Sequence, residues 1–272
     1  MKHSFKNSLL LLILACTIAS CASLSQNGVG RVRDYEVSSD QLPPEFDGYS
    51  IAFISDIHYP SKFTRSRLAK IVRKLQAETP DVLLLGGDFV TSDSYIEELF
   101  DSISSVKTVD GTYAVLGNHE RRNKEKVAKS MQVHDITLLD DKVVEIRRSG
   151  SHIFIAGIHD SFKHDQFVTQ PAETVPDSTY TVLVCHTPDY AERTSTTADL
   201  TLSGHTHGGQ VSLFGLYTPV KNTAYGRRFL KGKNKTTSGS TIITTTGVGT
   251  SRRKIRFCVP SELVLIKLYS RK

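Results

Sequence analysis

Apolar residues fall in short runs along this chain, and five of the runs end at a polar motif. Ser50-Ile51-Ala52-Phe53-Ile54-Ser55 reads as a buried strand that stops at Asp56. Arg65 to Ala77 sets Leu68, Ile71, Val72 and Leu75 at helical spacing. Asp81-Val82-Leu83-Leu84-Leu85 is a second strand, closed by Gly86-Gly87-Asp88. Ser94 to Ile103 reads as helical, and Gly111 to Leu116 is a third strand running into Gly117-Asn118-His119. Strands alternating with helices predict a parallel sheet with crossover connections. In such sheets binding sites form at the carboxyl ends of strands, where these motifs lie.

The second half changes character. Ile136 to Leu139, Val143 to Ile146, Ile153 to Ile158, Val182 to Cys185, Leu200 to Leu202, Thr241 to Thr245 and Leu263 to Leu268 are closely spaced strand candidates. Few helices separate them, which predicts a second, mixed sheet facing the first. No internal repeat or low-complexity segment interrupts the pattern. A length of 272 residues suits one α/β domain with extras.

The amino terminus stands apart. Lys2 and Lys6 precede an apolar stretch, Leu9 to Ile18, that is too short to span a bilayer. Ile18-Ala19-Ser20-Cys21 follows and resembles the processing site of a bacterial lipoprotein, with Cys21 the lipidated residue. An ordinary secretory signal or an uncleaved anchor is the alternative, and Ile13-Leu14-Ala15-Cys16 is a weaker competing site. The expected organisation is a signal peptide over 1–20, a polar tether over 21–46 containing Pro43-Pro44, and one domain over 47–272. Beyond Cys21 the cysteines are Cys185 and Cys258, too few for a disulfide framework. Cys185 sits in an apolar run as a small buried side chain, and no bridge is expected.

Charge matters here more by place than by sum. The formal charge is +6, and between Thr201 and Lys272 thirteen Lys or Arg face one acid, Glu262. Clusters lie at Arg227-Arg228, at Lys231, Lys233 and Lys235, and at Arg252-Arg253-Lys254 with Arg256. Such a bias gathers anions, either phosphoryl substrates or acidic lipid headgroups. No aromatic-basic interleaving or nucleic-acid module accompanies it, so nucleic acid is not an expected partner.

The candidate chemistry lies in the motifs. Asp56-x-His58 and His205-x-His207 would each send two donors to the same side of an extended segment, within reach of one cation. Asp88 follows two glycines, and its two carboxylate oxygens could serve two ions. Asn118 offers an amide oxygen beside His119, and His186 ends another apolar run. Carboxylate and imidazole together suit Mn²⁺, Fe or Zn²⁺ better than an all-oxygen Ca²⁺ or Mg²⁺ cage. His3, His134, His152, His159 and His164 lack such settings and read as surface or structural residues.

In this order, Asp56-x-His58, Gly87-Asp88, Gly117-Asn118-His119-Glu120, Cys185-His186 and Gly204-His205-x-His207 resemble the calcineurin-like metallophosphoesterases. The closing segments Gly247-Val248-Gly249-Thr250-Ser251 and Arg256-Phe257-Cys258-Val259-Pro260-Ser261-Glu262 are similar to a bacterial single-domain, membrane-associated branch. The resemblance implies a four-layer α/β/β/α sandwich of two mixed sheets flanked by helices. It implies two divalent ions, one held by Asp56, His58 and His207, the other by Asn118, His186 and His205, with Asp88 bridging. It also implies hydrolysis of phosphodiester or phosphomonoester bonds by a metal-bridging hydroxide, with His119 as general acid.

The expectation is a monomeric envelope enzyme, anchored through an N-terminal lipid and acting on a phosphate ester, lipid-linked in one version. Alternatives are a UDP-2,3-diacylglucosamine pyrophosphohydrolase of lipid A synthesis or a non-catalytic metal-binding envelope lipoprotein. The run Val211 to Lys235, with Phe214, Tyr217, Tyr225 and Phe229, is the stretch expected to shape a substrate pocket. No insertion is large enough for a cap, so an open site is expected.

Overall fold

Central strands buried on both faces build two six-stranded sheets that face one another. The computed structural model describes residues 28–60, 63–159, 169–213 and 215–272. The signal segment, Cys21, His3, His164 and Phe214 lie outside the described residues. In chain order the elements are β1 (Arg31–Ser39), β2 (Ser50–Ile54), α1 (Arg65–Glu78), β3 (Val82–Leu85), α2 (Ile96–Ser104), β4 (Thr112–Ala114), α3 (Lys124–Val133) and β5 (Ile136–Leu138). There follow β6 (Lys142–Arg148), β7 (Ser151–Gly157), β8 (Thr181–Val184), α4 (Asp189–Arg193), β9 (Leu200–Ser203), β10 (Gly232–Lys235), β11 (Thr241–Thr244) and β12 (Glu262–Ser270).

The first sheet runs β1-β12-β2-β3-β4-β5 and the second β10-β11-β9-β8-β7-β6. Both are mixed. β2, β3, β4 and β5 run parallel, and β12 lies antiparallel to β2. In the second sheet β7, β8, β9 and β11 are parallel, with β6 and β10 antiparallel at the edges.

The period-two alternation of β2 and β3 decides the layers. Ile51, Phe53, Val82 and Leu84 point to the second sheet and meet Ile155, Val182, Leu200 and Ile243. Ala52, Ile54, Leu83 and Leu85 point the other way, onto Leu68, Leu75, Phe100 and Met131 of the helices. Each such side chain contributes about 1.5–3 kcal/mol of apolar burial. α1 begins where the Thr64 hydroxyl accepts the Arg67 N–H, and it ends at Thr79 in the left-handed region. On the far side of the second sheet α4 packs Tyr190 against Cys185, Leu183 and Ala198. The architecture is therefore the expected α/β/β/α sandwich, with a thin fourth layer.

The segment expected as a tether is partly a strand. β1 pairs in parallel with the whole of β12, from Arg31 opposite Glu262 to Ser39 opposite Ser270. It is an edge strand, whose charged residues Arg31, Arg33, Asp34 and Glu36 stay exposed and disguise its pattern. Leu42, Phe46 and Tyr49 are also buried, so the folded unit starts well before residue 47. Pro44 begins the short 3-10 turn that carries Phe46 inward. Three other elements lack a readable signal. α3 buries only Val127, Ser130 and Met131, α4 is five residues long, and β10 (Gly-Lys-Asn-Lys) has no apolar residue. Among the described residues no helix is long and apolar enough to cross a membrane.

Candidate metal centre

Six parallel strands, β2, β3, β4, β8, β9 and β11, bring their carboxyl ends to one edge of the sandwich. The loops after the first five deliver Asp56 and His58, Asp88, Asn118 and His119, His186, and His205 and His207. Two sets of donors close enough to share a cation result: Asp56, His58 and His207, and Asp88, His186 and His205. A third set, His58, Asp88 and His119, joins them.

The way these side chains converge differs from the extended geometry read from sequence. Asp56, His58, Asp88, His205 and His207 all have left-handed backbones, with φ of 58°, 52°, 57°, 67° and 52°. Non-glycine residues in that region each cost roughly 1–2 kcal/mol. The chain accepts this because a left-handed residue turns abruptly at a strand end and aims its side chain across the edge.

Asp88 is the hub. Its Oδ2 lies 3.3 Å from His186 Nε2, 3.6 Å from His58 Nε2 and 4.0 Å from His119 Nε2. Its Oδ1 accepts the His119 backbone N–H at 3.0 Å. On one side His207 Nε2 lies 3.2 Å from Asp56 Oδ1 and 3.1 Å from His58 Nε2. On the other, His186 Nε2 lies 3.3 Å from His205 Nδ1. His186 Nδ1 donates to the Gly86 carbonyl at 2.7 Å, which leaves Nε2 as its ligand atom. Asp56 is fixed by the Ser55 hydroxyl at 2.7 Å and the His205 N–H at 3.0 Å, both donating to Oδ2.

Glycines make room for these contacts. A Cβ on Gly204 would overlap Ser55 Oγ and Asp56 Oδ2, and Gly87 combines a φ of 89° with backbone contact to Gly117. Only glycine meets both demands at Gly87.

Burial and mutual charge set the protonation pattern. Burial pushes the Asp56 carboxyl up to about 6, and Asp88 nearby adds to it while His186 opposes. Burial also opposes charge on Asp88, yet His186, His58 and His119 hold it well below the usual carboxylate range. Burial, His58 and Arg256 keep His207 neutral, and burial with His186 lowers His205 to about 3. His186 goes the other way. Burial disfavours its charge, but Asp88 and Asp56 raise it to about 10.

Imidazoles and carboxylates that converge on shared points are a donor set for divalent cations. The Asn118 Oδ1 atom fits that reading, being buried with no hydrogen-bond partner. A buried amide oxygen without a partner costs about 1–3 kcal/mol, which a cation beside His186 and His205 would offset. The residues present therefore fit two metal ions. His119 differs from the other motif histidines. Its side chain is 43% exposed, and its ring stands edge-on to His58 at 4.7 Å.

Two further residues shape the centre without a sequence signal for that role. Glu120 is fully buried and accepts the N–H groups of Asp88, Phe89 and Gly117. Arg256, read from sequence as part of a basic cluster, is 2% exposed and donates to the carbonyls of His207, Thr246, Gly247, Gly249 and Val259. Their roles run through backbone groups, which leave no motif. The expected pocket run is also redrawn. Phe229 is buried against Ala191 and Ile242 with Tyr225 packed on it, so these two rings serve the core. A groove of about 300 Å³ opens instead between His207, Gln210, Val211, Val220, Arg252 and Ile255. Cys185 is buried and Cys258 half-buried, both as free thiols.

The profile described as calcineurin-like phosphoesterase matches residues 49–209. The "uncharacterized metallophosphoesterase YkuE" of Bacillus subtilis is 28% identical, over 87% of this chain and 85% of that protein. An uncharacterized metallophosphoesterase of Aquifex aeolicus is 27% identical, over 88% of this chain and 91% of that protein. Another from Helicobacter pylori is 26% identical over 88% of this chain, which spans 64% of that longer protein. Among solved structures, a dimetal phosphatase from Danio rerio superposes with a TM-score of 0.50 at 12% identity, covering 82% of this chain and 94% of that one. The shared feature there is the fold.

Proposed function

The chain belongs to the calcineurin-like phosphoesterase family and is a metal-dependent phosphoric ester hydrolase, and on that premise we propose a two-metal phosphodiesterase of the cell envelope. The observation that carries the proposal is Asp88, which faces both donor sets and the half-exposed His119 at once. Asp56, His58 and His207 would hold one ion and Asn118, His186 and His205 the other, with Asp88 facing both sets. When bound, the two ions polarise the phosphoryl oxygens and make a nucleophile available from water near neutral pH.

The chain's own groups do the rest. The carboxylates of Asp56 and Asp88 balance the positive charge, and Gly86 orients His186 through its carbonyl. His119 is the general acid, donating its Nε2 proton to the departing oxygen. Its exposure lets that nitrogen reach a leaving group entering from solvent, while its backbone N–H ties the loop to Asp88. Such an acid is worth about 10²–10⁴ in rate. An open edge suits a diester with a large leaving group, and the signal-like segment before Cys21 supports export.

The test is hydrolysis of bis(p-nitrophenyl) phosphate by the Mn²⁺-loaded protein. His119→Ala is expected to keep two metals per chain and lose most of kcat. Full activity in that variant, or no activity in the metal-loaded parent, counts against the proposal.

A further inference from the structure

Seven large apolar side chains are strongly exposed among the described residues, and five of them gather in one place: Leu213, Leu216, Tyr217, Val220 and Ile255. Leu216 is 81% exposed at the tip of a small hairpin in which Leu213 pairs with Tyr217. The hairpin is held out rather than folded back. Arg227 clamps it by donating to the carbonyls of Gly215 at 2.6 Å and Leu216 at 3.1 Å. The Ile255 loop is pinned alongside, since the Ser212 N–H donates to the Phe257 carbonyl, the Phe257 N–H donates to the Gln210 carbonyl, and the Gln210 side chain donates to the carbonyls of Arg253 and Ile255.

Cations surround these side chains. Lys221, Arg227, Arg252, Arg253 and Lys254 are exposed on the same two loops and their flank. No Asp or Glu occurs from Thr201 through Ser261. Apolar tips ringed by Lys and Arg are suited to the boundary between acyl chains and anionic headgroups. Tyr217, with an apolar ring and a polar tip, fits the same depth.

We propose that Leu213, Leu216 and Tyr217 together with the Arg252–Ile255 loop form a docking surface for an anionic lipid bilayer. Beside them, the groove between Val220 and the Arg252–Ile255 loop has His207 in its wall, so docking sets the metal centre near the headgroup layer. A lipid-borne phosphate ester is then the substrate class, and only that clause rests on the phosphoesterase reading.

The test is co-sedimentation of the mature protein from residue 21, carrying Cys21→Ser so that no lipid is attached, with vesicles of phosphatidylglycerol or of phosphatidylcholine. Binding to the anionic vesicles is expected, weakening with salt. The double variant Leu216→Asp, Ile255→Asp should bind at least about tenfold more weakly, whereas Val109→Asp, on another exposed apolar residue, should not. Metal content reports whether each variant is folded. Equal sedimentation of parent and double variant overturns the proposal, as does equal binding to both lipids. Lipid-free self-association abolished by the double variant overturns it in favour of a second copy of the chain. Vesicle binding lost in the double variant while the parent hydrolyses no phosphate ester leaves the docking surface standing and removes the enzymatic reading.

Discussion

Glu120 holds Asp88 by its backbone: its Oε2 accepts the Asp88 N–H at 2.9 Å. The same carboxylate takes the Gly117 N–H at 2.9 Å and the Phe89 N–H at 2.8 Å. It ties the β3 loop to the β4 loop immediately behind the Asp88 carboxylate.

Glu120→Gln should therefore weaken both fold and metal binding. Glutamine has one acceptor oxygen, and its NH₂ would face a backbone N–H. One buried donor left without an acceptor costs about 1–3 kcal/mol. Residues that orient ligands from behind typically change metal affinity by about 10–100-fold. Urea unfolding and Mn²⁺ titration would register the two losses, and an unchanged variant would mean the loops are positioned otherwise.

Asp88→Asn should strip metal where His119→Ala does not. Asp88 Oδ2 faces His58, His119 and His186, so removing its charge affects both donor sets. Elemental analysis after gel filtration is expected to find fewer than two ions per chain. Retention of both would show that Asp88 does not bridge.

The donors were legible because their chemistry is in side chains, and each sits where an apolar run stops. Asp56, His58, Asp88, Asn118, His186, His205 and His207 all reach one edge for that reason. Their left-handed backbones were not legible, because the enrichment of Asp and His in that region is too weak to mark individual positions. Glu120 and Arg256 escaped a role because they act on N–H and carbonyl groups that every residue carries. β1 escaped because an edge strand keeps its charges exposed, and only its pairing with β12 reveals it.

Gly204→Ala tests the close approach of two loops. The added methyl would overlap Ser55 Oγ and the Asp56 carboxylate, neither of which has space to retreat. Overpacking of this kind costs about 1–3 kcal/mol. A lower melting temperature with weaker metal binding is expected. A variant as stable as the parent would imply a looser centre.

Asp199 gives a pH dependence remote from the metal donors. Burial raises its carboxyl above 3.8, although the Thr181 N–H, Lys235 and Ser39 favour the charged form. The folded chain therefore holds this proton more tightly than the unfolded chain. The associated stability is fully present below the unfolded value and is lost as pH rises through the folded one. Asp199→Asn keeps an oxygen for the Thr181 N–H, 2.9 Å away in the parent, and removes the titration. Melting curves should show the variant gaining on the parent as pH climbs from acid to neutral, and parallel curves would count against the shift.

Arg256 is the last case, because its charge and its shape can be separated. The guanidinium is buried, and burial with Arg67 nearby lowers it to about 9. Its Nη2 donates to the Thr246 and Gly249 carbonyls at 2.6 Å, and Nη1 donates to His207 and Val259 at 3.2 and 3.3 Å. One planar fork thus joins the turn after β9, the turn after β11 and the segment before β12, and it lies 3.5 Å from His207 Nδ1. Arg256→Met would orphan several carbonyls at about 1–3 kcal/mol each. Arg256→Lys keeps the charge but offers a single nitrogen that cannot span opposite sides. Both variants should lower the unfolding midpoint and weaken metal binding at Asp56, His58 and His207, with lysine giving little rescue. Restoration by lysine would instead make the charge, and not the fork, the property that matters.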